Sequence, residues 1–212
     1  MKISSEGKGR FTKPFSIEFK NKIEILVGDN GSGKSSLLSA LRGVFVAPSY
    51  DKGSLYNFSN KELSESITVD HDFDKAFFYD AVKDKPTDLN NAYDAMEFIR
   101  NGGFETRDKS HGQSSLYLIS KMIDEIETYR KANPTAKILV ILDEPEVGFD
   151  LNTQFKLPKM ISNISNFLDC HIILATHNYM LVTSQEEVTV ADKMKYKRMN
   201  TVKYVDGLVG KQ

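Results

Sequence analysis

The sequence predicts an α/β fold built on a mainly parallel sheet, and three consecutive segments indicate it. An unbroken apolar run at 137–142 has the composition of a central strand that is covered on both faces. A helical stretch follows at 155–168, and a second apolar strand follows at 171–175. Strand, helix and strand in that order are typical of parallel sheets with right-handed crossovers.

The spacing of apolar residues predicts the other elements. Residues 15–19 alternate apolar and polar side chains, as a half-buried antiparallel strand does. Residues 36–42 have the pattern of a helix with leucines on one face, and Gly43 is expected to close it. Further strands are expected at 23–27, 66–69 and 75–79, and further helices at 88–100 and from 114 to about Asn133 and Pro134.

Length and composition indicate a soluble chain with a sizeable core. Its 212 residues are 40% hydrophobic and 27% charged, which is ordinary for a folded domain. No stretch approaches the roughly 18 apolar residues that a membrane helix needs, and residues 1–10 are too polar for a secretory signal. Cys170 is the only cysteine and cannot form an internal disulfide. We therefore expect a cytoplasmic protein without an integral membrane segment.

The net charge is −1, but both ends of the chain are basic. Residues 1–22 hold six Lys or Arg and two acidic residues, and residues 190–212 hold the same numbers. If the two ends meet in space, they form a basic face suited to phosphate groups or nucleic acid. The plainer alternative is two solvated edges. The sequence leaves both open.

Residues 28–35 match the phosphate-binding loop pattern G-x-x-x-x-G-K-S. The glycines let the backbone turn successive N–H groups onto phosphate oxygens, and the following helix directs its positive end at the same anion. Lys34 adds a positive charge near the β- and γ-phosphates, and the Ser35 hydroxyl is a ligand for Mg²⁺. A strand before the loop and a helix after it are the context that this motif requires. The segment therefore predicts a nucleoside triphosphate site.

Two carboxylates, Asp143 and Glu144, end the buried strand at the expected carboxyl edge of the sheet. Asp143 is placed to hold Mg²⁺, and Glu144 to polarise an attacking water. The alternative is that both cap the turn. His177 ends the next apolar strand, where it would lie beside these carboxylates and donate a hydrogen bond to the γ-phosphate. A purely structural histidine is the alternative there.

The segment Ser-His-Gly-Gln-Ser at 110–114 precedes the long helix and offers a second anion site at a helix N-terminus. One chain cannot easily place two such sites on the same γ-phosphate, whereas two copies arranged head to tail can. The alternative is that Ser110 or Ser114 simply caps the helix. The spacing alone does not choose between them.

In order and spacing, these motifs resemble those of the ABC-class ATPases, from about Ile23 to Asn178. The match is closest to compact members with a Ser-His-Gly signature in place of the transporters' Leu-Ser-Gly-Gly-Gln. SMC-like repair ATPases are more distant, because their coiled coils have no counterpart here. The resemblance rests on Gly28 to Ser35, Ser110 to Gln113, Leu142 to Pro145, Asp150 and Ala175 to His177.

The resemblance implies a P-loop NTPase fold of ABC-ATPase type, a mainly parallel central sheet with an N-terminal antiparallel β piece. It implies a single domain over residues 1–212, with a small helical lobe inserted at about 84–135. It further implies an ATP-dependent homodimer that sandwiches ATP and Mg²⁺ between the two copies.

The same resemblance implies a role for each matching residue. Glu144 would act as general base, His177 as the switch histidine, and Ser35 and Asp143 would serve Mg²⁺. Asp150 would fall in the loop that faces the opposing subunit. The residues that would bind phosphates are Gly28, Asn30, Gly31, Ser32, Gly33, Lys34, Ser35 and Ser36. Those that would complete the site from the opposing copy are Ser110, Gly112 and Gln113.

Two departures from the family pattern stand out. The interval from 36 to 109 contains no glutamine, so the side chain that usually links the site to a membrane partner is missing, and Asp80 is the candidate stand-in near the metal. Position 111 is His, where the transporter signature has Gly. Phe11 and Phe15 are the candidates for stacking on adenine.

The leading functional hypothesis is a Mg²⁺-dependent ATPase that couples its cycle to a partner. One alternative is an ATP-gated clamp on DNA or on a protein, in repair, defence or a toxin–antitoxin system. The other is the ATPase subunit of a membrane transporter. The missing glutamine, the altered signature and the lack of membrane segments argue against the transporter.

Overall fold

The computed structural model describes residues 1–45, 62–81 and 111–209, with the side chains of 111–114 and 117 outside the description. The strands are β1 (Lys2–Glu6), β2 (Pro14–Glu18), β3 (Ile23–Val27), β4 (Thr68–Asp70), β5 (Lys75–Asp80), β6 (Ile138–Asp143), β7 (Cys170–Ala175), β8 (Glu187–Asp192) and β9 (Lys195–Asn200). The helices are α1 (Lys34–Phe45), α2 (His111–Ala132), α3 (Leu151–Phe167), α4 (Tyr179–Thr183) and α5 (Thr201–Val209).

A six-stranded sheet in the order β5-β6-β7-β3-β8-β9 forms the centre of the described part. Its strands run parallel except for β9, which pairs antiparallel with β8. The apolar run expected as a central strand is β6, and all six of its residues are buried. Because a strand covered on both faces must be apolar throughout, this burial explains the continuous run. The predicted mainly parallel α/β fold is confirmed.

The sheet is covered by a separate apolar cluster on each face. On one face, Val140 packs with side chains of α2 and α3, such as Ile126 and Leu157. On the other, Leu139 packs with α1 and with the N-terminal strands. Successive residues of a strand point to opposite faces, so neighbours such as Leu139 and Val140 serve different clusters.

A three-stranded antiparallel sheet, β2-β1-β4, packs over α1. The N-terminal antiparallel piece is therefore confirmed, with residues 15–19 lying largely in β2. Its central strand β1 was not expected from the sequence. Ile3 is the only large apolar residue in β1, and the strand's other inward side chain is Ser5, whose hydroxyl donates to the Ser66 carbonyl at 2.8 Å.

The helices correct two predicted boundaries. Gly43 does not close α1, which continues to Phe45, so that prediction is wrong. Helix α3 begins four residues earlier than expected because Asp150 caps it, accepting a hydrogen bond from Thr153 N at 3.0 Å. The helix expected at 88–100 lies outside the described residues. Over the described ranges, no helix combines the length and apolar character that crossing a bilayer requires.

The two basic ends of the chain do meet. Arg198 in β9 donates to the carbonyl of Glu18 in β2 at 3.1 Å. The same guanidinium forms ion pairs with Glu24 at 2.8 Å and with Glu187 at 2.7 Å, so its charge is neutralised within the chain. Binding of phosphate or nucleic acid by this region stays a prediction.

Candidate functional site

The glycine-rich loop connects β3, which lies inside the central sheet, to α1. Ser32 N donates to Asp29 O at 3.1 Å, which closes a turn at the tip of the loop. Gly31 and Gly33 have φ angles of +74° and +110°, in the region where a side chain is strained. The loop therefore curls at the carboxyl edge of the sheet and enters the helix, as the phosphate-binding motif predicts.

The hairpin formed by β8 and β9 supports this loop through hydrogen bonds to two of its carbonyl groups. Tyr196 is buried, and its hydroxyl donates to the carbonyl of Gly33 at 2.7 Å. Met194 N donates to Ser32 O at 2.8 Å. A Cβ added at Gly33 would lie 2.8 Å from the Tyr196 oxygen, so the close approach itself requires glycine. Burial raises the pKa of Tyr196 far above its usual value, which keeps the hydroxyl a donor.

Lys34 is almost fully buried, at 4% exposure, and its ammonium is held by the loop it belongs to. It donates to Gly28 O at 2.9 Å and to Asp29 O at 3.3 Å, and its Nζ lies 2.9 Å from His177 Nε2. Desolvation lowers the pKa of Lys34, and nearby carboxylates, Glu144 first among them, oppose that shift. An ammonium can only donate, so in this contact His177 Nε2 is the acceptor.

Ser35 and Asp143, the two residues expected to serve Mg²⁺, lie together. Ser35 Oγ donates to Asp143 Oδ1 at 3.2 Å. The register of β5 and β6 places Asp80 directly beside Asp143, and both residues are buried. The candidate stand-in for the missing glutamine therefore ends the strand next to the predicted metal ligand.

Glu144 and His177 also come together, from the loops that follow β6 and β7. Glu144 Oε1 lies 3.6 Å from His177 Nε2. The backbone N of Glu144 donates to Ala175 O at 2.9 Å, which ties the first loop to the end of β7. Glu144 adopts a φ of +52°, and such left-handed backbone costs roughly 1–3 kcal/mol outside glycine. Its carboxylate lies beside His177 and acts electrostatically on Lys34.

Glu146 is a residue at this site that sequence reasoning missed. It is 8% exposed, and its Oε1 accepts from the Thr176 hydroxyl and the His177 N–H, both at 2.7 Å, and from Asn178 N at 3.2 Å. A third acidic residue close to the end of the buried strand, after Asp143 and Glu144, was the available signal.

Other expected site residues have different outcomes. The Asp150 carboxylate accepts from the backbone and hydroxyl of Thr153, and these bonds lower its pKa. Ser110 lies outside the described residues, and Gly112 and Gln113 are described only as backbone in the first turn of α2. Phe11 and Phe15 are 0% and 9% exposed and pack edge-on to each other, so the prediction that they stack on adenine is wrong.

A glycine-rich loop after a central strand, with a buried lysine and a serine–aspartate pair at its mouth, defines the P-loop class of nucleotide-binding proteins. The sequence model of the AAA domain family matches residues 2–198. The chain belongs to this family, and within the P-loop class it is an ATP-binding, ABC-class ATPase.

Several curated proteins are similar to this chain. The zinc import ATP-binding protein ZnuC of Wigglesworthia glossinidia brevipalpis is 26% identical over 196 residues, covering 87% of this chain and 77% of the relative. ZnuC of Histophilus somni is 26% identical over 171 residues, or 77% of this chain. ZnuC of Agrobacterium fabrum is 26% identical over 181 residues, or 83% of this chain. The chain spans only 60% and 56% of the length of the last two.

Solved structures show the same fold at lower identity. One is described as a metal-chelate type ABC transporter in an inward-facing conformation, with a TM-score of 0.55, 20% identity, and coverage of 94% of this chain and 83% of that one. Another is cbiO1 from Clostridium perfringens, part of the ABC transporter complex cbiONQ, with a TM-score of 0.52, 18% identity, and coverage of 96% and 90%. A third, the dimeric bacterial ABC transporter cassette MJ0796, has a TM-score of 0.50, 14% identity, and coverage of 95% and 99%.

Proposed function

We propose that the protein hydrolyses ATP with Mg²⁺ in a nucleotide-sandwich homodimer and couples the cycle to a partner. One observation carries this proposal. Side chains from three separate segments converge at the carboxyl edge of the sheet. His177 Nε2 lies 2.9 Å from Lys34 Nζ and 3.6 Å from Glu144 Oε1. A phosphate-binding cation, a candidate base and a candidate phosphate donor thereby share one small volume.

Phosphate binding begins with the lysine. In this structure its ammonium is occupied by two loop carbonyls and by His177 Nε2. Phosphate oxygens are stronger, charged acceptors than neutral carbonyls, so a bound triphosphate draws the ammonium onto itself. That exchange releases His177 Nε2 from its acceptor role. A shift of the ring proton to Nε2 then makes His177 a donor to the γ-phosphate.

The residues around Ser35 fit Mg²⁺. A hydroxyl and a carboxylate oxygen that already lie 3.2 Å apart are hard oxygen donors, which this ion prefers. Among the described residues no cluster of three or more His, Cys, Asp or Glu is arranged to hold a metal. Mg²⁺ does not need one, because it binds through one or two protein oxygens, substrate phosphates and water. When bound, the ion neutralises phosphate charge, and Ser35 and Asp143, with Asp80 alongside, would hold it.

Glu144 performs the proton step in this proposal. Its side chain is 28% exposed and borders the space beside Lys34 and His177, so a water can reach it. The Glu144 carboxylate orients that water toward the γ-phosphorus and accepts its proton as the bond between the γ-phosphorus and the oxygen of the leaving ADP breaks. The strained backbone at Glu144 costs stability, and strain of this kind at a site supports a functional role for the side chain.

Dimerisation supplies the missing half of the site. The segment expected to complete the site from a second copy is 110–114, and from His111 onward it forms the first turn of α2. A helix N-terminus of a second copy would face the phosphates with free N–H groups. The fold relative MJ0796 is described as dimeric, which supports this arrangement.

The test compares Glu144→Gln with the parent protein and with Glu125→Gln, a matched change on an exposed face of α2. We expect Glu144→Gln to lose at least about 100-fold in phosphate release, because removing a general base costs 10²–10⁴. We also expect it to elute as a dimer in size exclusion only when Mg²⁺ and ATP are present. Parent-like turnover in Glu144→Gln would refute the assigned base, and a monomer under all conditions would refute the sandwich.

A second candidate is the ATPase subunit of an importer. The favouring observation is that the curated relatives described above are zinc import ATP-binding proteins. The absence of glutamine between positions 36 and 109 weighs against it, since the linking side chain would have to be Asp80. Co-purification of the native protein with an integral membrane protein would favour the importer. ATP-dependent DNA binding that weakens steeply with salt would instead favour a clamp on nucleic acid.

A further inference from the structure

We propose that Glu146 is a positioning residue for the hydrolysis described above: it fixes the loop after β7 against the turn after β6, so that the His177 ring faces the reacting phosphate. This inference rests on the proposed function. Glu146 has the sequence position of a loop residue, but it is 92% buried and lies beneath the site.

The first step concerns the donors around one oxygen. Glu146 Oε1 accepts from Thr176 Oγ1 at 2.7 Å, from His177 N at 2.7 Å and from Asn178 N at 3.2 Å. These are three consecutive residues of the loop that carries the histidine. A single carboxylate oxygen thus fixes the backbone on both sides of His177, and charge-assisted bonds of this kind are roughly twice as strong as neutral ones.

The second step concerns what the loop does with that support. Asn178 caps α4 by accepting from Leu181 N at 3.0 Å, and its amide donates to Gln154 Oε1 at 2.9 Å. Beyond Asn178 the loop is therefore held by α3 and α4. Before it, Thr176 N donates to Leu26 O at 3.2 Å, and the N–H of His177 itself donates to Glu146. The imidazole position, 2.9 Å from the Lys34 ammonium, depends on that bond.

The third step concerns the other oxygen. Glu146 Oε2 is buried and has no hydrogen-bond partner among the described residues. An unpartnered buried carboxylate oxygen is costly, but an apolar side chain here would leave the three donors to Oε1 without an acceptor. Glu146 opposes the lowering of the Lys34 pKa less than Glu144, Asp143 or Asp29 does, so the proposal depends on its acceptor oxygen and not on its charge.

The experiment measures kcat and KM for ATP in Glu146→Ala and Glu146→Gln, each in the parent background and with His177→Ala. Glu146→Gln retains an acceptor oxygen for the three donors, so we expect it to keep kcat within about threefold of the parent. Glu146→Ala removes the acceptor. A displacement of roughly 1 Å in a reacting group costs up to about 100-fold, so we expect kcat to fall about 10- to 100-fold while KM changes less than threefold.

The double variants separate positioning from general damage. If Glu146 acts through His177, adding Glu146→Ala to His177→Ala lowers kcat no further. A further loss in that background as large as in the parent would overturn the proposal, as would a KM that rises in step with the fall in kcat, or a Gln variant as slow as the Ala variant. A parent-like rate in Glu146→Ala overturns this inference alone. A parent protein that hydrolyses no ATP overturns the proposed function as well.

Discussion

The hydroxyl of Tyr196 offers a sharp test of how the hairpin supports the phosphate-binding loop. Tyr196→Phe removes one oxygen and leaves the ring in its cluster, where it lies 4.7 Å from the Phe15 ring. The Gly33 carbonyl then loses the 2.7 Å bond but keeps its helical bond from Leu37 N at 3.0 Å, so no buried acceptor is orphaned. The expected cost is therefore that of one net hydrogen bond, about 1 kcal/mol.

Urea denaturation and nucleotide titration measure the two consequences. We expect the free energy of unfolding to fall by about 1 kcal/mol. Because the proposed function places Gly33 N–H in the phosphate cradle, we also expect ATP to bind a few-fold more weakly. Tyr129→Phe is the matched control: its ring packs edge-on to Phe77, 6.0 Å away, on the opposite face of the sheet. Unchanged stability and unchanged ATP affinity in Tyr196→Phe would refute the role of this hydroxyl in supporting the loop.

Three further predictions follow from other contacts. Arg198→Ala leaves the 2% exposed Glu24 carboxylate without its cation, so we expect the free energy of unfolding in urea to fall by about 3 kcal/mol. Glu187→Ala breaks only the exposed ion pair and should lower it by less than about 1 kcal/mol, so equal small losses would contradict this. Burial raises the pKa of Cys170 to about 11, so Ellman's reagent at pH 8 should react only after unfolding, and fast reaction of the folded protein would contradict it. Asp80→Asn should raise the Mg²⁺ concentration for half-maximal ATP hydrolysis roughly tenfold, whereas the exposed control Asp124→Asn should not. An unchanged Mg²⁺ concentration in Asp80→Asn would show that Asp80 does not contribute to the proposed metal site.

Elements with a strong pattern were predictable. The buried strands β6 and β7 and the glycine loop lie where the sequence places them, because a strand covered on both faces leaves an unbroken apolar run. Strand β1 was not predictable, since its pairing with β2 and β4 depends on backbone bonds and a single buried isoleucine. The end of α1 was misjudged because a glycine in the last turn costs only about 1 kcal/mol, which packing of the helix offsets.

The sequence alone determined that this chain is a P-loop protein and named Lys34, Ser35, Asp143, Glu144 and His177, because each is a distinctive residue type at the end of a recognisable element. Only the tertiary structure decided which side chains support them. The groups that Glu146 and Tyr196 contact are mostly backbone N–H and C=O groups, which have no residue identity, so the sequence does not show which loops these two side chains hold. The tertiary structure also shows that Phe11 and Phe15 belong to the core. The sequence could not show this, because the same residue type can contact a ligand or a neighbouring ring.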